Sequence, residues 1–114
     1  MEIAERTSNG VAVIEIKNPE LNYSLCHEFQ RQVTEILDSQ NVHSLVVNLK
    51  HVVFLDSMGI GTLITLRNRL LKDGGAVVLC ELTDQIKRVM DISSLNKVFN
   101  LYDAEAEALE ALEQ

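Results

Sequence analysis

Two nearly continuous apolar runs, Leu45-Val46-Val47-Asn48-Leu49 and Ala76-Val77-Val78-Leu79-Cys80, constrain this chain more than any other feature. A strand with one face in water alternates apolar and polar residues. A run that is apolar at nearly every position reads as a strand covered on both faces. Between the two runs, Ile60, Leu63, Ile64, Leu66, Leu70 and Leu71 recur at helical spacing, and Asp73-Gly74-Gly75 supplies a left-handed stop. Strand, helix, strand in that order implies a parallel pair joined by a crossover.

The remaining segments extend this pattern. Ile3–Arg6 and Val11–Ile16 read as strands joined by Asn9-Gly10, a strong hairpin signal. Lys17-Asn18-Pro19-Glu20 breaks the second strand. Leu25, Phe29, Val33, Ile36 and Leu37 then mark an amphipathic helix that Asn22 or Ser24 can cap and that ends at Asp38-Ser39-Gln40-Asn41. Thr83 can cap a helix reaching about Asp91, with Ile86, Val89 and Met90 inward. Val98–Leu101 reads as a short last strand, and an acidic, alanine-rich helix starts at Asp103. The predicted class is α/β: one domain over residues 1–114, with a mixed, mostly parallel sheet of about 4–5 strands and about 4 helices.

Composition narrows the function. Apolar residues make up 46 % of the chain, but there is no Trp, and only three Phe and two Tyr, so the core is aliphatic. A formal charge of −7 opposes binding to nucleic acid or to an anionic membrane surface, since both require Lys and Arg facing phosphate. No apolar run approaches the ~20 residues of a membrane span, and Met1-Glu2-Ile3-Ala4-Glu5-Arg6 is too polar for a signal peptide. The expectation is a cytoplasmic protein, a monomer or weak dimer, without membrane insertion. Cys26 and Cys80 lack redox or ligand spacing and read as reduced structural thiols. Neither a cofactor nor a metal is expected.

The chemistry concentrates in Phe54-Leu55-Asp56-Ser57-Met58-Gly59-Ile60-Gly61-Thr62-Leu63. Asp56 and Ser57 fall where an extended segment becomes a helix, the end with unpaired N–H groups and a positive dipole. Asp56 has the chemistry of an N-cap. A serine hydroxyl here is close to solvent, and phosphorylation would add about −1.5 to −2 charge. A nucleophilic role fits poorly, because a Gly-x-Ser-x-Gly elbow would need glycine where Leu55 stands, and no acid is evident to orient His27, His43 or His51. Gly59-Ile60-Gly61 lacks the third glycine of a dinucleotide fingerprint and the Lys-Ser/Thr ending of a P-loop. Glycine at 59 and 61 therefore reads as permitting close helix-to-sheet or protein-to-protein approach, with contact weighted above stability and Gly59→Ala expected to fold and to bind poorly.

Taken with the order of elements, Val53 to Leu63 resembles the Asp-Ser-x-Gly-x-Gly-x-Leu signature of STAS domains, which include bacterial anti-sigma-factor antagonists and parts of sulfate transporters. The resemblance covers nearly the whole chain. In the antagonist branch, it implies that the residue matching Ser57 is phosphorylated by the anti-sigma factor, itself a serine kinase. The unmodified antagonist binds that kinase and frees sigma, the phosphorylated form releases it, and a serine phosphatase resets the cycle. Carried onto this sequence, the partner-binding residues are Asp56, Ser57, Met58, Gly59 and Gly61. They are joined by Asn22, which stands where many members of the family carry an acidic residue. Other readings are an accessory subunit of an ABC-type lipid transport system, a stressosome-type scaffold, and an enzyme using Ser57 as nucleophile.

Overall fold

The computed structural model describes residues 1–39 and 41–113. Strands β1 (Ile3–Ser8) and β2 (Val11–Ile16) form the expected hairpin. Asn9 and Gly10 both take positive φ at its turn, 53° and 78°. A two-residue strand β3 (Glu20–Leu21) leads into α1 (Tyr23–Ser39), followed by β4 (Ser44–Asn48) and a second two-residue strand, β5 (Phe54–Leu55). Then come α2 (Ser57–Lys72), β6 (Val77–Cys80), α3 (Asp84–Ile92), a 3-10 turn (Leu95–Lys97), β7 (Asn100–Tyr102) and α4 (Glu105–Leu112).

The main sheet has the order β1-β2-β4-β6-β7, antiparallel between β1 and β2 and parallel elsewhere. Its two faces explain the continuous apolar runs. On one face, Ile14, Leu45, Val47 and Leu79 pack with Phe29 and Val33 of α1, Leu63 and Leu66 of α2, and Ile86 and Met90 of α3. On the other, Val11, Val13, Val46, Val78 and Cys80 lie under Ala108, Leu109 and Leu112 of α4. All five residues of β4 and all four of β6 are therefore buried. The α/β class, the mixed sheet and the four helices agree with the sequence reading.

Differences lie at the edges. The last strand begins at Asn100 rather than Val98, because Leu95–Lys97 winds into a 3-10 turn that buries Leu95 and Phe99. The last helix starts at Glu105, where the Ala104 N–H donates to Glu107 Oε1 at 3.1 Å. Leu71, on the expected inner stripe of α2, is exposed beside the helix end, and Val89 is only half-buried. Gln40 of the expected helix end, and Gln114, lie outside the described residues. No helix among the described residues is long and apolar enough to cross a membrane.

Candidate functional site

The site is built by the two shortest strands. β3 pairs with β5 in parallel, Glu20 opposite Phe54 and Leu21 opposite Leu55. The N–H groups of Val53 and Phe54 both donate to the Pro19 carbonyl, at 2.7 and 3.3 Å. Each strand runs directly into a helix, so this ribbon sets the starts of α1 and α2 side by side. The sequence reading treated Lys17–Glu20 only as a break and missed the ribbon. A signal was present: Leu21-Asn22-Tyr23 and Leu55-Asp56-Ser57 share the pattern Leu, Asx cap, first helical residue.

Asp56 is the N-cap of α2, with extended backbone (φ −88°, ψ −177°). Its Oδ1 accepts the Gly59 N–H at 2.8 Å. Its Oδ2 accepts the Tyr23 N–H, the first of α1, also at 2.8 Å. One carboxylate therefore serves both helix starts, where unpaired N–H groups and dipoles favour negative charge. Asn22 caps α1 as expected: its Oδ1 accepts from the Ser24 N–H at 3.1 Å and the Ser24 hydroxyl at 2.6 Å, while its amide donates to Glu20 Oε2 at 3.3 Å.

Ser57 is the first residue of α2 and is exposed, and among the described residues its hydroxyl has no hydrogen-bond partner. Around this helix start, large apolar side chains face solvent: Tyr23 is 73 % exposed, Met58 56 %, Phe54 47 % and Val53 44 %. Four such exposed residues, at the ends of elements that meet at this helix start, give it the apolar character of a protein-docking surface. Tyr23, Phe54 and Val53 were not singled out by sequence, since their exposure follows from the ribbon.

The two glycines part company. A Cβ on Gly59 would lie 2.2 Å from the Leu21 carbonyl oxygen, a backbone atom of β3. Gly59 is buried against the chain itself, which corrects its expected place in a contact surface: the small residue is needed for α2 to pack on β3. A Cβ on Gly61 meets nothing within 4 Å, so that position is open toward solvent.

Elsewhere, polar groups gather at the other face of the sheet. Glu105 pairs with Arg6 and accepts from Asn48 Nδ2 at 3.1 Å, and its N–H donates to Glu81 Oε2 at 3.0 Å. Glu15 pairs with Lys50 at 2.9 Å, and that hydrogen bond is the main cause of a Glu15 pKa below the ordinary 4.5. Ala4, Arg6, Val13, Glu15, Lys50 and Glu105 line a cavity of about 260 Å³ that none of the residues around Ser57 reaches. Ligand atoms of Cys80, Glu81 and Glu105 lie within 4.8 Å of one another, a grouping that sequence spacing could not show. Both carboxylates already accept hydrogen bonds there, and burial first, then Glu81 and Glu105, push the Cys80 thiol up to about 12. His43 and His51 turn to Ser44 and Glu15, not to Ser57.

An exposed serine at the start of the helix after the central strand, on an α/β sheet opened by a hairpin, is matched by the STAS domain family model over residues 2–108. The chain belongs to the STAS domain family. It is 26 % identical over 113 residues to the anti-sigma F factor antagonist of Paenibacillus polymyxa, covering 99 % of this STAS domain and 96 % of that protein. Two solved structures share its fold. An anti-sigma factor antagonist from Mycobacterium paratuberculosis matches with a TM-score of 0.85 at 22 % identity, over 99 % of this chain and 94 % of that one. The anti-sigma factor antagonist SpoIIAA in its unphosphorylated form matches with a TM-score of 0.81 at 18 % identity, over 96 % and 95 %.

Proposed function

We propose that this STAS domain is an anti-sigma-factor antagonist, a binding module switched by phosphorylation of Ser57. The observation that carries the reading is the exposed Ser57 at the first position of α2, its hydroxyl without a hydrogen-bond partner among the described residues, on elements that also expose Tyr23, Phe54, Val53 and Met58. The chain supplies a substrate hydroxyl and a docking surface, and the partner, a serine-kinase anti-sigma factor, supplies the chemistry. In the transfer, a bond forms between Ser57 Oγ and the γ-phosphorus of ATP. The bond from that phosphorus to the β-bridging oxygen breaks, and the hydroxyl proton passes to a base of the kinase.

Before transfer, the exposed apolar residues dock on the kinase and sequester it from sigma. Afterwards, the dianion sits beside Asp56 on a surface suited to a neutral hydroxyl. A charge buried unpaired at an interface costs roughly 3–5 kcal/mol, so the complex separates. A phosphate at a helix start is locally favourable, so the modified domain stays folded. A serine phosphatase then restores the binding form. Within this reading, Asp56 and Asn22 shape the surface by holding the two helix starts, while Ser57, Met58 and Gly61 face the partner. Incubation with a serine-kinase anti-sigma factor from the same genome and ATP, followed by intact-mass spectrometry, tests this. One phosphate is expected on the wild type and none on Ser57→Ala; full labelling of the Ala variant, at Ser24 or Thr62 for example, refutes the assignment.

A further inference from the structure

The two hydrogen bonds of the Asp56 carboxylate differ in what else supports them. The Gly59 bond lies inside α2, and the next N–H, of Ile60, bonds to the Asp56 carbonyl at 3.0 Å. The Tyr23 bond joins two separate elements. Yet α1 does not need it in order to form, because Asn22 Oδ1 accepts the Ser24 N–H and the Asn22 carbonyl accepts the N–H groups of Leu25 and Cys26, both at 3.0 Å. Losing the Oδ2 contact thus leaves the Tyr23 N–H without its acceptor while both helices remain capped and the β3–β5 pairing stays in place. Tyr23 is 73 % exposed, so its N–H is open to solvent exchange once the bond is gone.

We propose that Asp56 is a positioning residue with two separable holds: Oδ1 fixes Ser57 as the first residue of α2, Oδ2 latches Tyr23 to it, and a phosphate on Ser57 releases only the second. This rests on Ser57 being the modified residue. Phosphoserine next to Asp56 brings about −1.5 to −2 charge and three acceptor oxygens. It repels the carboxylate and competes with it for the unpaired N–H groups at the helix starts. The contact inside α2 is held by the helix's own geometry, whereas the contact across to Tyr23 joins two elements whose relative position is set only by the Leu21–Leu55 pairing of β3 and β5. A partner resting on both Tyr23 and Met58 then senses phosphorylation twice, as charge and as a Tyr23 N–H released from Asp56.

Phosphoserine installed at position 57 by genetic-code expansion tests this without any kinase, so failure of the kinase assignment and failure of the latch are told apart. Amide solvent-exchange rates are measured by NMR on the full chain at Tyr23, Ser24 and Gly59. Exchange at Tyr23 should accelerate by about tenfold or more, with Ser24 and Gly59 within roughly twofold of the unmodified protein. Asp56→Asn should reproduce the same split without phosphate. Asparagine caps as well as aspartate, but it offers one acceptor oxygen and presents an NH₂ group where the Tyr23 N–H needs an acceptor. Unchanged exchange at Tyr23 in the phosphoserine protein overturns the latch. So does equal acceleration at Tyr23 and Gly59, which marks a cap that loosens as one unit.

Discussion

Alanine at position 59 should destabilise the domain, although alanine is the better helix former by about 1 kcal/mol. The added Cβ would meet the Leu21 carbonyl oxygen at 2.2 Å and its carbon at 3.3 Å. Real contacts of this kind do not fall below 3.0 Å, so α2 and β3 must separate by close to 1 Å. Neither moves freely. Leu21 is fully buried and paired to Leu55, and α2 is anchored by Leu63, Leu66 and Leu70 in the core. Overpacking typically costs about 1–3 kcal/mol, and a clash with backbone rather than a flexible side chain belongs at or above the top of that range. The net loss is then about 2 kcal/mol. With an unfolding entropy near 2.1 cal/mol/K per residue, 114 residues lose roughly 4 °C of Tm per kcal/mol, so Gly59→Ala should melt about 8 °C below wild type. Gly61→Ala is the matched control, because its Cβ meets nothing and keeps the helix-propensity gain, raising Tm by about 4 °C. Thermal melts of the three proteins followed by circular dichroism decide. A Gly59→Ala variant melting at or above wild type refutes the packing argument.

Two further outcomes follow from the rest of the fold. Since the thiolate is the reactive form and the Cys80 thiol is pushed up to about 12 beneath α4, iodoacetamide at pH 8 should label Cys80 at least ~100-fold more slowly in the native protein than in urea; fast native labelling, read by peptide mass spectrometry, would mean that α4 opens from the sheet. Lys50→Met should lower stability at pH 7, and urea melts across pH should show its gap to wild type closing as pH falls below 4.5. The sign follows from Glu15, whose folded pKa lies below its unfolded value: the stabilisation is complete above the unfolded value and is lost as pH falls through the folded one. Lys50, raised above 10.5, loses its share only as pH climbs past that range, and a gap that instead widened in acid would contradict this pairing.

Strands buried on both faces and helices with one apolar stripe were legible because burial writes a period into the sequence. Val11–Ile16 matches residue for residue, Thr83 caps α3 as its side-chain chemistry suggests, and of the two candidates Asn22 and Ser24 it is Asn22 that caps α1. β3 and β5 were not legible, because two residues carry no period and their pairing joins segments over thirty positions apart. The site inherits that gap. Ser57 and Asp56 could be placed at a helix start from local pattern. The second bond of Asp56, the exposure of Tyr23 and Phe54, and the carbonyl beneath Gly59 all depend on the ribbon. Gly59 is the clearest lesson. In sequence, a glycine beside a candidate contact residue reads as room for the sheet or for a partner, and in the fold that room is filled by Leu21.

Charge at Ser57 decides partner binding in this mechanism. Isothermal titration of the serine-kinase anti-sigma factor with unmodified, Ser57→Asp and phosphoserine-57 protein tests it most directly. The unmodified domain should bind tightest. Phosphoserine should weaken binding by about two to four decades, the equivalent of roughly 3–5 kcal/mol. Aspartate, with one charge and fewer acceptor oxygens, should weaken it less but by at least about tenfold, with Tm close to wild type because an acidic residue at a helix start gains about 0.3–1 kcal/mol. Phosphoserine protein that binds the kinase as tightly as the unmodified form would contradict the account.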